Sequence, residues 1–298
     1  MKRIFVFIAL AAACTASSAM RVHSQMATPA AADALLYEIT GPGIKEPSYL
    51  FGTIHIICSK DMFPAERFDT YFNKTRQLYL EFDMDDPTVL QTAVTGSMLK
   101  DGKGVKDMVT AEEYAKIDAA FKDYLGMSFD ALQRFKPMVA STYLMTSPKV
   151  IGCQPPVVYD SHLAQRAAEK KMPVLGLETS SEQIAVIDSV PLEKQLKDLV
   201  KTARDPSKDA MEFQSLYKTY LTQESDKVYL LAMEGMKTQG YSQEKMLDER
   251  NARWIPIIER EARVMPTFFA VGSGHLGGKM GVVALLRAKG FKLMPIRF

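Results

Sequence analysis

The sequence predicts an α/β fold, an expectation that rests on three features of the chain. Short apolar runs alternate with longer segments of helical periodicity. Two of those runs end alike: Tyr49-Leu50-Phe51-Gly52-Thr53-Ile54-His55 and Phe268-Phe269-Ala270-Val271-Gly272-Ser273-Gly274-His275 are each strand-like and each close on Gly-x-x-His. With 47% of its 298 residues hydrophobic, the chain can bury one large core or two small ones.

Residues 1–24 have the pattern of an export signal. Lys2-Arg3 is a basic start, Ile4 to Ala13 is an apolar run too short to span a bilayer, and the small residues suit cleavage after Ala19 or Ser24. Cys14, after three alanines, offers a lipid anchor as the alternative. No other stretch is apolar enough for a transmembrane helix, so a periplasmic or secreted mature protein is expected. Removing Lys2, Arg3 and Arg21 takes the net charge from +2 to −1, and no Lys/Arg block favours a nucleic-acid partner. Cys58 and Cys153 remain, an even pair that is expected to form a disulfide in an exported chain. Without Cys-x-x-Cys spacing, a metal role for them is disfavoured.

Leu35 to Thr40 is a strand that leads through Gly41-Pro42-Gly43 into the strand ending at His55, a hairpin. Met62 to Lys74 is a short helix. Gln77 to Asp83 is a strand that puts Glu81 and Asp83 on one side. An acid inside an apolar strand is costly unless paired or metal-bound, which makes Glu81 the leading carboxylate and a strand-end salt bridge its alternative. Thr110 to Glu113 is a capping box, and Gly126 ends the helix it opens. Ala131 to Met145 is expected as a helix kinked or divided at Pro137, and Tyr159 to Lys171 as an amphipathic helix whose His162 has no convergent partner.

Met172 to Glu178 is a third strand ending in an acid. Glu178 ranks below Glu81, because an acid beside the helix opened by Thr179 already has a stabilising role. Residues 191–240 form a helical insert, a candidate lid. On a helix from Ser242 to Ala262, Leu247, Asn251, Trp254 and Ile258 share a face with Arg250 beside them. An Arg and an Asn there need partners: a carboxylate, a substrate carbonyl or an oxyanion. A strand at 267–271, the His275 loop, a helix from Met280 to Lys289, Gly290 as its stop and a strand from Phe291 to Ile296 complete the chain.

A single His after a strand is most often structural. Two at matching strand ends, in a chain with four histidines, point to a site, because open α/β sheets bind ligands beyond the carboxyl ends of their strands. Neutral imidazole serves there as metal ligand or general base. The chain has no Walker or Rossmann fingerprint, and Gly272-Ser273-Gly274 is not Gly-x-Ser-x-Gly, which leaves Ser273 a weak nucleophile.

The two Gly-x-x-His motifs, with Leu80-Glu81-Phe82-Asp83, Leu175-Gly176-Leu177-Glu178-Thr179 and Asp248-Glu249-Arg250-Asn251-x-x-Trp254, resemble the TraB/GumN family, which is similar to the Tiki proteases. The resemblance runs over roughly residues 35–298. It implies one domain over 25–298, with a central mixed β-sheet flanked by helices, related to erythromycin-esterase-like and ChaN-like proteins. It also implies a divalent-metal-dependent hydrolase in which His55, His275 and Glu81 are the metal ligands and Arg250 and Asn251 the family's Arg-Asn pair. Gly277 stands where many relatives have Pro. The expected function is therefore a peptidase or related hydrolase acting on a peptide or small molecule. Glu81, Arg250 and Asn251 are its candidate catalytic residues, the last two on the oxyanion, with Mn or Co favoured and Zn as the other option. The alternatives are a non-catalytic exported protein holding haem, iron or a peptide end, and a metal-free esterase-like hydrolase with His as base and Glu as its orienting partner.

Overall fold

Two runs of alternating local preference build the frame. In the computed structural model, which describes residues 33–84, 86–153 and 155–298, the first half contains β1 (Leu36–Thr40), β2 (Ser48–Thr53), β3 (Ile56–Cys58), α1 (Ala65–Phe72), β4 (Gln77–Leu80), α2 (Pro87–Gly96), α3 (Ala111–Leu125), α4 (Pro137–Met145) and α5 (Pro148–Ile151). The second contains β5 (Pro156–Val158), α6 (Tyr159–Glu169), β6 (Val174–Gly176), α7 (Ser180–Asp188), α8 (Leu192–Arg204), α9 (Pro206–Leu221), α10 (Ser225–Gln239), α11 (Glu249–Val264), β7 (Thr267–Gly272), α12 (Val282–Ala288) and β8 (Lys292–Ile296). The expected signal segment 1–24, with Cys14, lies outside the described residues.

The fold is α/β, with a six-stranded mixed sheet in the order β6-β4-β7-β2-β1-β8. Strands β6, β4, β7 and β2 run parallel, and β1 is antiparallel to both β2 and β8. Strands β2 and β7 are buried at every position, as parallel strands covered on both faces must be. Their register runs from Tyr49 opposite Phe268 to Thr53 opposite Gly272, so the two Gly-x-x-His motifs leave the sheet side by side. Phe51, Phe68, Phe72 and Phe268 pack ring to ring on one face.

Where the structure departs from expectation, the backbone explains it. Pro137 opens α4 at its first position instead of kinking a helix from Ala131. Lys136, the residue before it, is extended at ψ 139°, because a proline ring disfavours helix in its predecessor and suits the first turn, where an N–H has no partner anyway. The strand expected through Asp83 stops at Leu80, which leaves Glu81 just beyond a strand end.

Helices α3, α4 and α8 bury a second apolar cluster around Ile117, Phe121, Phe129, Leu144 and Leu199, separate from the core on the sheet. A two-stranded ribbon pairs β3 with β5 antiparallel. A disulfide between Cys58 and Cys153, Cα atoms 5.9 Å apart, closes it. Among the described residues, no helix is long and apolar enough to cross a membrane.

Candidate functional site

Strand order decides what meets at the sheet's end. The parallel strands β6, β4, β7 and β2 are successive neighbours, and their carboxyl ends lead into Glu178, Glu81, Gly272 to His275, and His55 respectively. Backbone pairing continues past the formal strands, from Leu177 N to Leu80 O and from Glu178 N to Glu81 O, both at 2.9 Å. Both motif glycines are there for close approach. A Cβ on Gly52 would fall 2.6 Å from Leu276 Cδ1 and 3.1 Å from Ser273 Cα. One on Gly272 would fall 3.2 Å from both Glu81 Oε1 and His55 Nε2, so the bare backbone forms the floor between those two groups.

Helix α11 supplies the charge at the centre. A π-helical turn at Glu244–Asp248 leads into it, and Arg250 is buried to 7% exposure. Its Nε donates to Glu178 Oε2 at 3.1 Å and its Nη2 to Glu178 Oε1 at 2.6 Å. Nη2 also donates to Glu81 Oε2 at 2.5 Å, while Nη1 donates to the Met246 carbonyl. Trp254 lies 4.8 Å below the guanidinium. Glu81 is held from its other side by the Gly272 N–H, at 2.8 Å from Oε1. Burial works against its charge, but Arg250, the two histidines and that N–H outweigh it and hold the carboxyl well below its usual range. Burial pushes Glu178 upward, with Arg250 opposing and Glu81 adding to the rise.

The geometry settles one histidine tautomer. Arg250 Nη1 is 3.1 Å from His275 Nε2, and a guanidinium can only donate, so Nε2 carries the lone pair. The proton is therefore on Nδ1 and is donated to Asn251 Oδ1 at 2.6 Å. Asn251 is oriented in turn by its Nδ2, which donates to the Met280 carbonyl at 2.8 Å and faces that of His275 at 3.4 Å. The ring of His275 packs against Trp254, centroids 4.5 Å apart. Burial pushes its pKa down to about 3, with Glu81 opposing and Arg250 and His55 adding, so it is neutral at physiological pH.

His55 is held differently. Its side chain is 66% exposed and its φ is +41°, a left-handed conformation that costs a residue with a Cβ energy. Nδ1 is 3.1 Å from Asp160 Oδ2. Desolvation opposes its charge, but that carboxylate and Glu81 outweigh it and push the imidazole upward.

His55, Glu81, Arg250, Asn251 and His275 are thus all brought to one end of the sheet. The half-buried His162 on α6 has Arg166, Glu169 and Asp69 as its charged neighbours. Two residues in this arrangement had a weaker signal or none. Glu178 is a full partner of Arg250, and Asp160 stands in the first turn of α6, where an acid is unremarkable.

Both imidazoles have Nδ1 against an oxygen partner, Asp160 for His55 and Asn251 for His275, as outer partners orient metal-binding histidines. His275 Nε2 is 3.7 Å from Glu81 Oε1. Among the described residues, however, no three His, Cys, Asp or Glu side chains stand close enough to enclose an ion as they are placed. Arg250 Nη1, against His275 Nε2, is the group an ion would displace.

A mixed α/β sheet with a charge-paired centre at the ends of its parallel strands defines the class of protein. The chain belongs to the TraB/PrgY/gumN family, whose model matches residues 35–295. It is similar to two Xenopus tropicalis proteins, the metalloprotease TIKI2, 24% identical over 304 residues, and the metalloprotease TIKI1, 22% identical over 306. Each alignment covers 83% of this chain, but 57% of TIKI2 and 59% of TIKI1. The chain therefore spans less than two thirds of the curated relatives it matches. No solved structure matches it.

Proposed function

We propose that this protein is an exported, divalent-metal-dependent peptidase or related hydrolase. The observation that carries the proposal is that His55 Nε2 and Glu81 Oε1 both border the bare backbone of Gly272, with His275 Nε2 3.7 Å from the same oxygen. His55, His275 and Glu81 would hold the ion, and two imidazoles with one carboxylate suit Mn, Co or Zn. The bound ion would polarise the scissile carbonyl and activate water. The metalloprotease names of the Tiki relatives support this reaction class, and the Cys58–Cys153 bridge supports export.

The chain's own groups have separable tasks. Arg250 keeps Glu81 ionised, and because its Nη1 bonds are to the Met246 carbonyl and His275 Nε2, it would reach charge developing on a substrate oxygen by releasing His275. Glu178 fixes the guanidinium for that task. The amide of Asn251 is spent on His275 and the Met280 carbonyl, so we assign it to keeping His275 Nε2 unprotonated and turned inward, and the oxyanion to Arg250 alone.

The test is thermal unfolding of metal-stripped protein with Mn, Co and Zn added in turn, followed by cleavage of a peptide library with the ion that binds. An ion at ~100 times its dissociation constant should stabilise by about 2.7 kcal/mol, and His275→Ala should remove the shift. No shift with any ion would sink the metal assignment. One observation favours a second reading: Arg250 already occupies the His275 lone pair that an ion would need, which favours a metal-free hydrolase. Turnover that survives chelation unchanged would select it.

A further inference from the structure

The two Gly-x-x-His motifs are secured by opposite means. His275 is 4% exposed, packed on Trp254 and bonded through Asn251. His55 is mostly exposed, and among the described residues its imidazole has one hydrogen-bond partner and no ring stacked on it. Burial cannot hold an exposed ring in one rotamer, so its direction depends on that one partner, Asp160.

Asp160 is itself rigidly placed. Its Oδ1 accepts from Thr53 Oγ1 at 3.1 Å while Oδ2 faces His55 Nδ1 at 3.1 Å. The carboxylate therefore spans two residues of the same motif and cannot turn without losing one. Its own backbone is pinned to that motif as well. Tyr159 N donates to the His55 carbonyl at 2.7 Å, Ile56 pairs with Val158 and Cys58 with Pro156, and the Cys58–Cys153 bridge closes the ribbon covalently. Chain positions 55 and 160 are thus registered by a β-ribbon and a disulfide, and the Thr53 hydroxyl and the Phe51–Tyr159 ring contact tie them to β2 of the central sheet.

We propose that Asp160 is the positioning residue of His55, holding its Nδ1 so that Nε2 points at Glu81 across Gly272. The proposal rests on the reading that His55 acts at this site. It makes Asp160 a determinant of ion affinity without being a ligand, since its two oxygens are occupied by Thr53 and His55. Outer-shell partners of this kind are worth about 10- to 100-fold in metal affinity.

Two readouts on the folded, disulfide-bonded protein separate this inference from the metal assignment. The first needs no ion: with histidine labelled at 13Cε1, the His55 resonance, assigned through His55→Ala, should show one ordered ring in wild type. It should show averaged, fast ring motion in Asp160→Ala, with the His275 resonance unmoved. The second is cobalt(II) binding, followed by its visible absorption. Asp160→Ala and the nearly isosteric Asp160→Asn should each weaken it 10- to 100-fold. In a His55→Ala background the same substitutions should cost nothing further, because Asp160 acts through His55. A His55 ring that stays ordered in both variants would overturn the proposal, as would an undiminished loss in the His55→Ala background. If the ring is released but wild type binds no cobalt, Asp160 keeps its positioning role and the metal reading is what fails.

Discussion

Arg250 and Glu178 meet through two parallel hydrogen bonds, Nε to Oε2 at 3.1 Å and Nη2 to Oε1 at 2.6 Å, which tie helix α11 to the end of β6. The same Nη2 reaches Glu81 at the end of β4. One buried cation thus serves two buried carboxylates on adjacent strands, and the centre of the site is an ion triad before any ligand is added.

Removing its cation should be costly. Arg250→Met would leave Glu81 without its guanidinium and Glu178 with only the exposed Arg253, 3.8 Å away, and breaking a buried pair in this way costs roughly 3–5 kcal/mol. Arg250→Lys keeps the charge but loses the fork that bonds Glu178 twice and still reaches Glu81, so it should fall between the two. Urea unfolding midpoints measure both. A Met variant as stable as wild type would mean that the carboxylates rehydrate, and that the triad is far less closed than the 7% exposure of Arg250 indicates.

Loss of the bridge between Cys58 and Cys153 should destabilise the protein and loosen one region first. The typical cost for a native disulfide is about 2–5 kcal/mol. In a Cys58→Ser, Cys153→Ser double variant, amide exchange should rise at Ile56–Cys58 and at Val157 and Val158 before it rises in β2 and β7, because the ribbon has only two strands. Uniform acceleration across both sheets would show that the bridge acts only on the unfolded chain.

Much of this architecture is legible in the residues, and the limit falls where strand order begins. The strands ending near His55, Glu81, Glu178 and His275 are local features, set by apolar runs and glycines, and the buried face of Leu247, Asn251, Trp254 and Ile258 follows from helical spacing alone. Arg250 and Asn251 on that face announce a need for partners. Which partners they find does not follow, because it depends on β4 lying between β6 and β7. That order makes Glu178 a bidentate partner of Arg250, where its neighbours in sequence suggest only a helix-terminal acid. Asp160 is less legible still. Its link to His55 crosses 105 positions through the ribbon, and an acid in the first turn of a helix needs no other explanation. The second apolar cluster is hidden for the same reason: α3 and α4 precede α8 by many residues, and amphipathic periodicity does not say which helix faces which.

Gly52 offers the sharpest test of the paired-motif geometry. In sequence it is one of two equivalent glycines three residues before a histidine, and nothing local requires it, since its φ lies outside the left-handed range. The structure gives it a packing reason. A Cβ there would lie 2.6 Å from Leu276 Cδ1 and 3.1 Å from the backbone Cα of Ser273. Leu276 has a side chain that can turn, but Ser273 is held in the loop that carries His275, so relief must come from moving that loop. The Gly52 carbonyl also accepts from Tyr220 Oη at 2.9 Å, which resists a shift of β2 in the other direction. Gly52→Ala should therefore cost about 1–3 kcal/mol, the usual range for overpacking a filled core, and weaken any ligand that needs both histidines. Gly274→Ala is the control, because its Cβ would meet only Ala232 Cβ at an ordinary 3.8 Å. If the two variants unfold at the same denaturant concentration, close contact between the strand end and the His275 loop is not what Gly52 provides, and the side-by-side placement of the two motifs loses its packing basis.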